Sequence, residues 1–159
     1  MDMELLAFIV PRLLLALFAG VVLGLNRWLH HKSAGIRTHS LVAIGAATAI
    51  LLVADFPQDN AQSASRVLQG LLTGIGFLGA GVIVQSGSTN RTHGLTTAAS
   101  LWAVALFGAA FGAGQFTLGL TALSLTILII VLGGFIEKQL AHRFTHQAET
   151  ELKSDDLRK

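Results

Sequence analysis

From Asn60 to Ile136 the chain contains neither aspartate nor glutamate, and Arg66 and Arg91 are its only Lys or Arg residues there. A soluble domain cannot cover itself with so little charge, whereas the hydrocarbon core of a bilayer requires that scarcity. Five apolar runs approach the roughly 20 residues that a helix needs to cross a membrane. They cover residues 5–25, 39–54, 67–85, 95–113 and 116–136. Short polar breaks separate them. The expected fold is all-α, a polytopic membrane protein with a bundle of five transmembrane helices over 1–136 and a short polar cytoplasmic tail over 137–159. Composition agrees, with 52% hydrophobic and 13% charged residues among 159 and a mean hydropathy of +0.64.

The first run follows Asp2 and Glu4, where a secretory signal would carry positive charge, so it reads as a membrane crossing. Basic residues set the expected orientation. Arg27, Lys32, Arg37, Arg91, Lys138, Arg143, Lys153, Arg158 and Lys159 fall in the first break, the third break and the tail. Positive charge concentrates on the cytoplasmic side, which places the N-terminus outside and the C-terminus in the cytoplasm. Arg12, inside the first run, reads as a side chain reaching to the interface rather than as a transport element.

The missing acids also exclude chemistry. Paired carboxylates, carboxylate metal ligands and histidine-orienting acids are unavailable in the body of the chain. No cysteine is present, which removes disulfides, thiolate metal sites and cysteine nucleophiles. His142 and His146 share a helix face, but Glu149 is the one further ligand nearby, too few for a metal site. No catalytic residue, metal or cofactor is expected.

Gly74, Gly76 and Gly79 in GIGFLGAG spell the glycine pattern of a dinucleotide turn. That turn needs a strand before it and an acid about 20 residues after it, and neither is present. On a helix, Gly70, Gly74 and Gly81 fall within about 40° of arc. Gln69, Thr73, Gly76 and Ala80 make a second small face, and Leu71, Ile75, Leu78 and Val82 a bulky one. Small residues let membrane helices approach closely. The third helix therefore reads as a central element gripped on two sides through Gly70, Gly74, Gly76, Gly79 and Gly81, with its bulky face toward lipid.

The expected topology gathers Asn26, Arg27, Arg37, Thr38, His39, Gln85, Thr96 and Thr97 at the inner membrane face. The second and fourth helices begin there, offering free N–H groups and positive dipole ends beside cationic side chains and hydroxyls. This chemistry suits an anion, with the phosphate of an anionic phospholipid as the expected ligand. Mg²⁺ prefers an octahedron of oxygens that includes carboxylates. His39 reads as structural, because a proton relay would need carboxylate partners.

The segments AGIRTHSLVAIGAA, GIGFLGAGVI and GLTTAASLWAVA resemble, in order and spacing, the hallmark segments of the MgtC/SapB family of bacterial inner-membrane proteins. The resemblance runs from about Leu13 to about Gly134. It implies a plasma-membrane protein linked to growth under magnesium limitation, to acid stress and, in some pathogens, to survival in host cells. It further implies a regulator that restrains the proton-driven ATP synthase, with no established enzymatic activity. Three positions depart from the family pattern: Asn26 and Ser63 stand where acids are usual, and Gly70 where glutamine is. Longer members carry a soluble cytoplasmic domain beyond the point where this sequence stops.

The expected function is thus a non-enzymatic inner-membrane modulator of stress responses. Its expected partners are membrane lipids, a second copy in a homodimer and a membrane protein such as ATP synthase; nucleic acid is not among them. The alternatives are a transporter or channel for Mg²⁺, protons or an anion, and an anionic-lipid-binding scaffold.

Overall fold

The computed structural model describes residues 3–54, 60–85 and 93–156, with side chains described over 3–54, 62–83, 93–137 and at 139. Five helices follow in order: α1 (Met3–Leu29), α2 (Ile36–Ala54), α3 (Asn60–Gln85), α4 (Leu95–Gly112) and α5 (Phe116–Asp156). Among the described residues every regular element is helical, as lipid requires, because a helix satisfies its backbone internally. Each helix is long and apolar enough to cross a membrane. Met1–Leu123 form one compact unit and Ser124–Lys159 another.

Within the first unit, α4 is the central element and touches α1, α2 and α3. Its buried positions go all the way round, including Leu101, Val104, Ala105, Phe107 and Phe111, as expected of a helix without a polar face. Glycines let α2 sit between α1 and α4. A Cβ added at Gly20 would lie 2.8 Å from the Ser40 backbone nitrogen, and one at Gly112 would lie 2.6 Å from the Ala47 carbonyl oxygen. Gly24 meets Ile36 and Gly108 meets Ala43 in the same way. These are backbone-to-backbone approaches that any side chain would block.

α3 corrects the sequence reading. It lies at the side of the unit and turns its bulky face inward: Ile75, 8% exposed, joins Ala46, Leu101 and Ala105, with Leu71 and Val82 packed against them. Small residues on α2 and α4 leave a groove that a β-branched side chain fills. Of the five glycines expected to grip neighbours, Gly79 alone does so, 3.5 Å from Ala98 as measured from an added Cβ. Gly70, Gly74, Gly76 and Gly81 meet nothing within 4 Å. Close packing falls instead to Gly20, Gly24, Gly108 and Gly112.

Two helix ends close in the same manner. At α4, Gly114 takes φ 76, its N–H bonding Phe111 O and that of Gln115 bonding Ala110 O. At α1, His31 takes φ 53, while its N–H bonds Trp28 O and that of Lys32 bonds Arg27 O. Both are Schellman endings, which favour glycine at the left-handed position. The exposed His31 carries the Cβ strain that Gly114 avoids. Replacing His31 with glycine is expected to raise stability by about 1 kcal/mol in reversible unfolding.

At the α1 N-terminal half, Arg12 lies over the Phe8 ring, 3.6 Å from its centroid, and 5.7 Å from that of Phe116. It also donates to the Phe8 carbonyl, one turn toward the N-terminus. These contacts tie α1 to the start of α5. In the second unit, α5 continues past Ile136 to Asp156. Its apolar part exposes Leu125, Leu128, Ile129, Leu132 and Phe135.

Candidate functional site

The end of α1 and the starts of α2 and α4 meet, and three of the expected polar residues come together there in burial. Arg27 is 5% exposed and donates through Nη2 to Thr97 Oγ1 at 2.6 Å. The Ser100 hydroxyl donates to the Thr97 carbonyl at 2.8 Å. His39, fully buried, approaches Ser100 Oγ through Nε2 at 3.0 Å and donates from Nδ1 to the Gly35 carbonyl at 3.0 Å. A carbonyl can only accept, so Nδ1 carries a proton. In the neutral ring Nε2 is then an acceptor, and the single Ser100 hydroxyl hydrogen is shared between it and Thr97 O. One polar chain thereby links α1, α4 and α2.

Helical geometry explains which expected residues join. Each step along a helix turns about 100°, so neighbours in sequence face different ways. His39 points in while Arg37 and Thr38 are exposed; Thr97 points in while Thr96 is exposed. Arg37, Thr38 and Thr96 therefore stand outside the buried cluster. Asn26 is half-buried, and its Oδ1 has no partner; Ser40 Oγ is likewise buried and unpartnered. Gln85 ends α3 with its side chain outside the described residues, as are Arg91 and the side chains of His142 and His146. Ser100 was not expected. The available signal was its spacing, one helical turn after Thr97 on the same face.

A serine 3.0 Å from a histidine has the spacing of a nucleophile and its base. Here the third group is a carbonyl of the histidine's own helix, and Ser100 and His39 are 3% and 0% exposed. A substrate has no approach, and the pair works as a latch between helices. Among the described residues, no three of His, Cys, Asp and Glu come together as metal ligands.

Among the described residues the cluster has a cation and no counter-ion. Among the described residues Arg27 has no carboxylate partner, and its buried Nε has no partner at all. The sequence offers none in these helices: α1 has no acid after Glu4, and α2 and α4 have none. Gly94, at φ 91, stands at the N-cap of α4 and brings no side chain to its first N–H groups.

The MgtC family model matches residues 13–139, and the chain belongs to that family. It is 42% identical to protein SrpB of Synechococcus elongatus over 134 residues, 78% of this chain and 72% of that one. It is 42% identical to protein MgtC of Salmonella typhimurium over 121 residues, 76% of this chain and 49% of that one. Against protein MgtC of Brucella abortus the identity is 39%, covering 76% of this chain and 48% of the relative. The chain thus spans about half the length of these MgtC relatives. No solved structure matches it. Family and helices together define a multi-pass inner-membrane protein.

Proposed function

We propose that the chain is a non-enzymatic modulator of the response to magnesium limitation and acid stress, and in a pathogen of survival in the host. It acts through partners in the membrane, the proton-driven ATP synthase among them, with the N-terminus outside and the end of the bundle that buries the Arg27 cluster on the cytoplasmic side. The observation that supports this reading is the buried arginine–hydroxyl–histidine chain, which has no carboxylate partner among the described residues. A site of that chemistry repels Mg²⁺. The test pairs growth with flux. A strain deleted for the gene should regain growth in low magnesium when the chain is restored, while proteoliposomes show flat traces for Mg²⁺, protons and phosphate. Saturable Mg²⁺ flux would make the chain a transporter instead.

A second copy is the partner we assign to the open glycine face of α3. Exposed glycines weaken a helix by about 1 kcal/mol each relative to alanine, and Gln69 beside them is exposed, with an amide able both to donate and to accept. The natural absence of cysteine makes the check clean. Gly79→Cys with Ala98→Cys should form a disulfide within the chain, because their Cβ atoms would lie 3.5 Å apart. Gly74→Cys alone should crosslink two copies in native membranes. A monomer with Gly74→Cys would remove the dimer, and failure of the first pair would overturn the orientation of α3.

A further inference from the structure

Resting on the reading of a cationic cluster, we propose that the junction of the α1 C-terminus and the α4 N-terminus binds a phosphate group. Two independent observations meet there. The first is Arg27, nineteen-twentieths buried, with a neutral hydroxyl as its partner and, among the described residues, none for Nε. Removing a guanidinium from water is costly by several kcal/mol unless an anion accompanies it, and the three helices of the junction hold no acid beyond Glu4. The second is the start of α4, where the N-cap Gly94 has no side chain to cap the helix and the positive dipole end favours negative charge.

The ligand chemistry follows from the donors. The guanidinium edge presents Nε and Nη side by side, a spacing that matches two oxygens of one oxyanion. Helix N-termini take phosphate through backbone N–H groups. A phosphate has oxygens enough for both. The exposed Thr96 hydroxyl, in the first turn of α4, adds a donor at the rim. The same phosphate chemistry is available from an anionic phospholipid of the inner leaflet or from free inorganic phosphate. The bound anion neutralises Arg27 and fastens α1 to α4.

The full chain is reconstituted in discs of phosphatidylcholine alone or mixed with phosphatidylglycerol. Its thermal unfolding is followed with inorganic phosphate or with chloride at matched ionic strength. A rise in unfolding temperature with phosphatidylglycerol identifies a lipid headgroup, and a rise with phosphate over chloride identifies the free anion. Arg27→Lys keeps the charge but removes Nε and should weaken the response roughly tenfold, the equivalent of one charge-assisted hydrogen bond. Lys32→Gln, in the exposed turn, should leave it intact. No rise in either arm overturns the site even if Arg27→Lys does not accumulate, and so does a response that survives Arg27→Lys and vanishes in Lys32→Gln. Mg²⁺ flux would overturn the modulator and leave this result standing; a missing phosphate response would overturn the site and leave the growth result standing.

Discussion

Gly108→Leu is expected to prevent the bundle from forming. A side chain at this position would run into the carbonyl of Ala43 on α2, and the obstacle is backbone, which cannot rotate aside. Overpacking a core costs about 1–3 kcal/mol where side chains can shift, and more where they cannot. We therefore expect a loss above about 3 kcal/mol, read as failure to accumulate in membranes or as a collapsed midpoint in mild detergent. Gly74→Leu is the contrast. The same change on α3 meets no atom of the chain within 4 Å, so a single copy should tolerate it.

The second large effect is at His39. Its imidazole is fully buried and bridges the carbonyl of Gly35 to the hydroxyl of Ser100. His39→Ala leaves a cavity where an aromatic ring stood and removes the polar link between α2 and α4. The expected cost is about 3 kcal/mol or more, by analogy with large-to-small changes in cores. Ser100→Ala should cost less, about 1–2 kcal/mol, because it removes one hydrogen-bonding group and little volume. The double variant should cost less than the sum, since both changes break the same bond. Additive losses in reversible unfolding would mean that the two side chains do not interact.

Much of this architecture could be read from hydropathy. Four of the five runs fall inside their helices and the fourth overruns α4 by one residue, while the starts of α4 and α5 at Leu95 and Phe116 are matched to the residue. The helix ends are less legible for a physical reason. Hydropathy senses the hydrocarbon crossing, while helices continue into the interfacial zone, as in the polar first turns of α3 from Asn60 to Arg66. Orientation about each axis is the harder quantity. Periodicity states that Gly70, Gly74 and Gly81 share a face, but not what the face meets. That depended on the groove left by Ala46 and Ala105, which drew Ile75 inward.

The same limit shaped the polar cluster. Arg27, His39 and Thr97 are legible as a group at one end of the helices because the connecting turns are short and alternate helices begin together. Within each pair of neighbours, the sequence could not show that His39 rather than Thr38, or Thr97 rather than Thr96, points inward. Ser100 escaped notice because one hydroxyl in an apolar helix ordinarily bonds its own backbone, as it also does here to Thr97 O. The close glycines of α1, Gly20 and Gly24, were hidden inside a run of leucine and valine, and their meaning appears only when α2 lies against them.

The account stands on a buried arginine held by a hydroxyl, with no carboxylate partner among the described residues, joining the end of α1 to the start of α4. A double-mutant cycle between Arg27→Met and Thr97→Val, read by reversible unfolding in mixed detergent, measures that join directly. A coupling of about 1.5–3 kcal/mol, the range for a hydrogen bond from a charged donor, is the predicted result. Independent, additive losses would contradict it.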